Sequence, residues 1–376
     1  MVEWKKLGEV CTKITDGSHN PPIGVDYSLN RMISSQNVYN GHIDFSSVRY
    51  LSDADFEKED KRTNAKKGDV VLTIVGTIGR CCVLDGNEGN IAFQRSVALL
   101  KPSNAIKSSF LMHYLINNNK HLNSQSNGGA QKGIYLKQLE RILIPIPPLS
   151  EQQRIVEQLD TFTASIDNLK EQIAQRRKQY EYYRDELLDL EGKEGVRHIV
   201  LKDVCDIING RAYSQPELLS EGKYRVLRVG NFFSNDSWYY SDFELEDKYY
   251  CNKGDLLYAW SASFGPHIWD EEKVIYHYHI WKMNCSDCLN KKFMFYWLQS
   301  EDMRKQAFSN LHGATMAHLT KALMESLMVP IPSLSEQQRI VSILDTFEDS
   351  IQNLEAQLEQ RQKQYEYYRN KLLTFE

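Results

Sequence analysis

Two stretches of the 376-residue chain decide its architecture: Ile144-Pro-Ile-Pro-Pro-Leu-Ser-Glu-Gln-Gln-Arg-Ile-Val156 and Val329-Pro-Ile-Pro-Ser-Leu-Ser-Glu-Gln-Gln-Arg-Ile-Val341. Both continue through Leu-Asp-Thr-Phe and close on Lys-Gln-Tyr-Glu-Tyr-Tyr-Arg, at 178–184 and 363–369. The offset between them is constant, with Ser150 matching Ser335 throughout. Self-similarity at a fixed offset marks two copies of one structural unit. Weaker echoes carry the repeat over the rest of the chain. Leu7-Gly-Glu-Val-Cys11 parallels Leu201-Lys-Asp-Val-Cys205, and Lys67-Gly-Asp-Val-Val-Leu72 parallels Lys253-Gly-Asp-Leu-Leu-Tyr258. These two lead on to Gly79 and Gly265, and Gly128-Gly-Ala130 parallels Gly313-Ala-Thr315. The chain therefore divides into a globular domain at 1–149, a helix at 150–191, a second domain at 192–334 and a second helix at 335–376. The helical parts are nearly identical and the globular parts have diverged, which suggests one task performed on two different targets.

The helices follow from spacing. Pro147, Pro148 and Pro332 block helix upstream, and Ser150 with Gln153, like Ser335 with Gln338, fits a capping box. Beyond them the apolar positions step by four and three. In the first copy they are Ile155, Leu159, Phe162, Ile166, Leu169, Ile173, Tyr180 and Tyr183. In the second they are Ile340, Leu344, Phe347, Ile351, Leu354, Leu358, Tyr365 and Tyr368. Such a heptad seam predicts a coiled coil, and two matching seams in one chain predict that they pair with each other. About 40 residues at 1.5 Å per residue span roughly 60 Å. One polar residue interrupts each seam, Arg176 and Arg361. Either it locks the register of the pair or its stem lies along the seam edge with the charge outside.

Composition narrows the class. Hydrophobic residues make up 41% and charged residues 25%, the balance of a folded globular chain. No stretch reaches the roughly 20 apolar residues of a membrane helix, and Met1-Val-Glu-Trp-Lys-Lys6 leads into no secretory apolar segment. Seven cysteines, with Cys81 and Cys82 adjacent, do not form a disulfide framework; the expectation is a cytoplasmic protein. The net charge of −5 argues against a strongly basic nucleic-acid binder, yet residues 1–149 carry 18 Lys and Arg against 14 Asp and Glu. A DNA surface is permitted, with a partner supplying part of the phosphate attraction.

The globular segments read as α+β, with twisted, partly antiparallel sheets. Val70–Val75 and Leu256–Trp260 are strand-like runs bounded by Gly-Asp signals, and helical patches fall near Ser109–Asn117 and Lys292–Gln299. Enzyme motifs are weak. Asn20-Pro-Pro-Ile23 resembles an amino-methyltransferase motif but lacks the aromatic residue that would stack a flipped base, and it has no glycine-rich loop upstream. The sequence contains no GxxxxGK[ST] loop. Glu271-Glu-Lys273 lacks the leading residues of a nuclease motif. His277, His279, Cys285 and Cys288 are close in sequence, but too crowded for the usual zinc spacing.

The paired helix-opening blocks, each following a divergent domain, resemble the specificity subunit of type I restriction–modification enzymes. Trp4-Lys-Lys-Leu-Gly-Glu-Val10, Asp16-Gly-Ser-His-Asn-Pro-Pro22 and Lys67-Gly-Asp-Val-Val71 fit that family's target-recognition domains. The second domain lacks the Asp-Gly-Ser-His-Asn-Pro loop, so its contacts do not carry over from the first. The resemblance implies two tandem mixed α/β recognition domains and an antiparallel pair of helices, with pseudo-two-fold symmetry. It implies that each domain reads one half of a bipartite double-stranded DNA target with a non-specific spacer. It also implies two methyltransferase subunits as partners, which methylate an adenine in each half-site, and restriction subunits that translocate and cut DNA. S-adenosylmethionine, ATP and Mg would sit on those partners, and this chain would hold neither a cofactor nor a catalytic group. Two competing readings are a self-contained adenine methyltransferase and a coiled-coil scaffold that reads no DNA.

Polar residues in loops and at strand ends that can pair with base edges or phosphate are the candidate contacts. In the first domain these are His19, Asn20, Gln36, Asn37, Arg80, Gln94, Arg95, Gln131 and Lys132. In the second they are Arg211, Arg228, Asn231, Ser263, His277, His279, Thr315 and His318.

Overall fold

Two 40-residue helices, Leu149–Leu188 and Leu334–Leu373, run without interruption in the computed structural model of the chain. The structure describes residues 2–126, 132–233, 235–261, 263–308 and 319–375. Its contacts separate two units: Met1–Lys170 with Ala356–Glu376, and Glu171–Glu355. Each unit holds one globular domain, the opening half of the helix that follows it and the closing half of the other long helix.

The helices begin one residue ahead of the expected capping boxes. Pro148 O accepts from Glu151 N at 2.9 Å and Gln152 N at 3.0 Å. In the second copy Ser333 Oγ accepts from Glu336 N at 3.2 Å. In the first copy the helix starts directly after Pro148, whereas in the second Ser333 stands between Pro332 and the helix and caps it. Ser150 and Ser335 therefore lie inside the first turn. Gln153 reaches forward to Glu157 at 2.9 Å instead of back to a cap.

Within each unit the two helical halves pair antiparallel. In the first unit Phe162 stacks on Tyr368 at 5.3 Å, and the Arg361 guanidinium lies 5.8 Å from the Phe162 ring. In the second, Tyr183 stacks on Phe347 at 5.4 Å, and Arg176 lies 5.9 Å from the same ring. Arg177 pairs with Glu355 at 2.5 Å, so later residues of one helix meet earlier residues of the other. Both seam arginines are half-buried and lie over an aromatic ring of the facing helix.

Burial along the seam is uneven. Ile155, Leu159, Ile340 and Leu344 are fully buried because they also pack on a globular domain. Ile166 and Ile173 are nearly so. Phe162, Leu169, Tyr180, Phe347, Ile351, Leu354, Leu358 and Tyr365 are half-buried, while Tyr183 and Tyr368 remain 43% and 42% exposed. A two-helix seam has one neighbour only and cannot enclose a large ring.

The globular domains share one plan. In the first, an antiparallel sheet orders Cys11–Asp16, Val97–Pro102, Val70–Thr73 and Cys81–Val83. In the second, the same order is Cys205–Asn209, Ile280–Cys285, Leu256–Ser261 and Ser263–Ile268. A smaller sheet is built on a parallel pair, Asn30–Ile33 with Asn90–Phe93 in one and Tyr224–Leu227 with Val274–Tyr276 in the other. A two-stranded ribbon joins the start of each domain to the strand before its helix, Glu3–Lys6 to Leu143–Ile146 and Arg197–Val200 to Met328–Ile331. Helices Ser108–Asn117 and Lys291–Trp297 cover the large sheets, burying Phe110, Leu111, Phe293 and Trp297.

A buried glutamine fixes each long helix to its domain. Gln152 is fully buried; it donates to Ala105 O (3.1 Å) and Pro147 O (2.9 Å) and accepts from Lys107 N (2.8 Å). Gln337, equally buried, donates to Cys288 O (2.9 Å) and Pro332 O (3.0 Å) and accepts from Asn290 N (2.7 Å). A buried polar group persists only with its hydrogen bonds made, and here all three are made to backbone. This device was not legible in the pattern, although both glutamines stand in the most strictly repeated block.

Candidate nucleic-acid interface

At one end of each domain the chain leaves the first strand of the large sheet and crosses the last strand of the small one. In the first domain Ser18 N donates to Phe93 O at 2.7 Å and Arg95 N to Ser18 O at 2.9 Å. Gln94 N donates to Ile33 O at 2.9 Å, and Val97 N closes a turn onto Gln94 O at 3.0 Å. In the second domain Arg211 N donates to Tyr276 O (3.0 Å), Tyr278 N to Arg211 O (3.0 Å), His277 N to Leu227 O (2.9 Å) and Ile280 N to His277 O (3.0 Å). The two schemes match bond for bond. The turn Gln94-Arg95-Ser96 therefore occupies the place of His277-Tyr278-His279. The crossing requires glycine: a Cβ on Gly17 would stand 1.9 Å from Phe93 O, and one on Gly210 would stand 2.4 Å from His277 O.

Beside each turn lies a loop with a second shared device. Asn37 Oδ1 accepts from Ser34 N at 3.0 Å, and its Nδ2 donates to Ser47 O at 2.7 Å. Asn231 Oδ1 accepts from Arg228 N at 3.1 Å, and its Nδ2 donates to Asn235 O at 2.8 Å. Both side chains are occupied in closing their own loops, and Asn37 is buried. The geometry makes them positioning residues for the exposed tips, where Gln36 and Arg228 stand.

The first domain brings several candidates together. Ser35 N donates to Ser96 Oγ at 3.0 Å, tying the loop that carries Gln36 to the turn that carries Gln94 and Arg95. Gly76 N donates to Lys132 O at 3.2 Å, placing exposed Lys132 on the tip of the hairpin Val70–Val83. Arg80 is half-buried, its guanidinium 4.7 Å from the Tyr39 ring. His19 pairs with Asp16 at 2.9 Å, and Asp16 also pairs with Arg62, so this end of the loop carries compensated charge. Asn20 is exposed beside it. Gln131 lies outside the described residues.

The second domain gathers rings instead. His277 lies 4.9 Å from His279 and stacks on Tyr213 at 6.3 Å. Tyr278 and His279 are 3.9 Å apart, and Trp260 meets His279 edge-on at 5.1 Å. Burial, with His279 and Arg228 nearby, pushes the His277 imidazole down to about 4, leaving it neutral at physiological pH. Arg211 is held between the rings of Tyr213 and Phe243, each 4.9 Å away, and bonded to Glu217 at 2.6 Å. That hydrogen bond, with those from Ser214, holds the Glu217 carboxyl down at about 2. Arg211 is thus neutralised by an internal partner. Arg228 is exposed, 5.1 Å from the Tyr239 ring, and Ser263 is exposed at the strand start. Thr315 and His318 lie outside the described residues. Tyr213, Phe243, Trp260 and Tyr278 complete this cluster of rings, and the alternation Tyr276-His-Tyr-His279 is its one signal in the sequence.

His277 and His279 are not gathered with Cys285 and Cys288. Cys285 sits at the far end of its strand, paired in register with Cys205. Among the described residues no three His, Cys, Asp or Glu side chains form a metal-binding group. No helix among them is long and apolar enough to cross a membrane.

A family model described as the type I restriction modification DNA specificity domain matches residues 1–176 and again 193–361. A putative type I restriction enzyme specificity subunit of Haemophilus influenzae is 33% identical over 291 residues, covering 72% of this chain and 73% of that one. A type I restriction enzyme specificity subunit of Methanocaldococcus jannaschii is 26% identical over 369 residues, covering 89% and 86%. Among solved structures, the S subunit of a type I restriction–modification system from M. genitalium matches at TM-score 0.60 and 15% identity, over 100% of this chain and 97% of that one. A chain from a structure of type I restriction–modification complex assembly matches at TM-score 0.64 and 18% identity, over 99% and 97%. These two share the fold. With two matches of the family model covering most of its length, the chain belongs to the type I restriction modification DNA specificity family.

Proposed function

We propose that this chain is the DNA sequence-recognition subunit of a type I restriction–modification complex, reading a bipartite double-stranded target with one half-site per globular domain. The observation that carries this reading is the matched pair of turns. An identical backbone frame presents Gln94-Arg95-Ser96 in one domain and His277-Tyr278-His279 in the other. A frame kept constant while its outward side chains change is what reading two different sequences requires, since base edges are distinguished by donor and acceptor pattern. Candidate contacts are Gln36, Gln94, Arg95, Lys132, His19, Asn20 and Arg80 in the first domain, and His277, His279, Arg228 and Ser263 in the second.

The chain acts without a catalytic group of its own. Methyltransferase subunits, two in number, dock on it and bring S-adenosylmethionine. Restriction subunits bring ATP and Mg. The modest basic excess of the first domain and the compensated arginines of both fit a reader whose phosphate attraction comes largely from those partners. The test is binding of the complex reconstituted with its methyltransferase subunits to duplexes in which either half-site is scrambled. Each scramble should weaken binding, and the chain alone should bind no S-adenosylmethionine. Equal binding to all duplexes would favour a scaffold role instead.

A further inference from the structure

The two turns occupy equivalent positions, yet their side chains belong to different chemical classes. Arg95 is exposed and Gln94 half-exposed, on a turn whose backbone is fixed from both sides by the bonds to Ser18 and Ile33. Among the described residues neither side chain has a hydrogen-bond or ion-pair partner. This contrasts with Arg80, whose guanidinium lies over the Tyr39 ring and reaches Val38 O, and with Asn37, whose amide closes its own loop. A long polar side chain without an internal partner, on a rigid turn, is placed to meet a ligand with little reorganisation. Arginine matches the O6 and N7 acceptors of guanine with two hydrogen bonds, and glutamine matches the N6 and N7 of adenine.

We propose that Gln94 and Arg95 are the specificity-determining pair of the first domain, reading adjacent purines in the major groove, with Arg95 on guanine. At the equivalent positions of the second domain, His277 and Tyr278 read their bases through an imidazole and a phenol. The two half-sites are therefore read by different chemistry from one frame. This inference rests on the DNA-reading function proposed above and specifies the residues that perform it.

The test uses the full chain expressed with its methyltransferase subunits in cells free of other adenine methylation, and reads the modified motif by base-resolution sequencing. Arg95→Lys keeps the charge and removes the paired geometry. It should make one guanine of one half-site degenerate, with discrimination falling about tenfold to hundredfold, while the other half-site is unchanged. The reciprocal graft H277Q/Y278R should impose an adenine and guanine requirement on the second half-site. A motif unchanged in R95K, with or without lower yield, would assign Arg95 to phosphate and overturn the pair. So would an unchanged second half-site in the graft. A parent chain that yields no bipartite motif at all would overturn the DNA-reading function itself, a distinct result from a parent motif that the variants leave intact.

Discussion

Replacing Gln152 by leucine removes the pin between the first long helix and its domain. Leucine is of similar size and carries no hydrogen-bonding group, so the loss of hydrogen bonds is the main effect. Three backbone groups lose their partner: Lys107 N, Ala105 O and Pro147 O. The site is fully closed to solvent, so water cannot replace the amide without a rearrangement. An orphaned buried polar group costs about 1–3 kcal/mol. Taking the lower half of that range for each of the three, and about 1 kcal/mol returned by the extra apolar surface, the net loss is about 2–5 kcal/mol. Total domain stability is about 5–15 kcal/mol. For a unit of this size each kcal/mol moves the midpoint by about 2–4 °C, so Gln152→Leu should lower Tm by roughly 4–20 °C. Differential scanning calorimetry of the full chain measures it, and amide exchange at Lys107 reports whether the loss is local. Gln337→Leu should produce a matching loss in the second unit. A variant that unfolds within about 1 °C of the parent, with Lys107 still protected, would refute the reasoning.

Two further predictions follow from the turn geometry. Gly17→Ala places a methyl carbon 1.9 Å from Phe93 O and must displace the crossing; competition binding should show discrimination lost at the first half-site and retained at the second, and Gly210→Ala should do the reverse. Equal loss at both half-sites would contradict the assignment of one half-site to each turn. The His277 ring should titrate near pH 4 by NMR, below its ordinary 6.5. Because the folded value is depressed, the neutral ring contributes stability in full above about pH 6.5, and that contribution is lost as pH falls toward about 4. His277→Gln should flatten the stability profile across that window, and a midpoint near 6.5 in the parent would show that the ring is not desolvated.

The architecture was legible because it rests on periodicity. A repeated block with prolines in front and a four-three apolar spacing behind leaves little besides paired helices, and the structure places those helices within a residue of the expected start. The expected capping boxes fall inside the first turn because Pro148 and Ser333 already stand at the helix starts, a competition that a Ser-x-x-Gln pattern does not reveal. Gln152 and Gln337 were missed for a related reason: a glutamine in a polar heptad position reads as solvated, and only the approach of a distant loop buries it. The placement of the candidate residues was legible in part. Gln94 and Arg95 stand where a strand-end reading would put them. Asn37, Asn231 and Arg211 look the same in sequence, yet they serve their own loops, because partners such as Ser47, Asn235 and Glu217 are brought to them by local turns. The correspondence of Gln94-Arg95 with His277-Tyr278 was hidden by divergence of the side chains and rests on backbone hydrogen bonds alone.

The central claim is that this chain chooses the DNA sequence on which its partners act. Base-resolution methylation sequencing of the native host, with and without the gene, tests it most directly. The account predicts that a split adenine-methylation motif, two short half-sites around a non-specific spacer, disappears on deletion and returns when the gene is restored. An unchanged set of methylated motifs in a host whose partner methyltransferase is demonstrably active would contradict it.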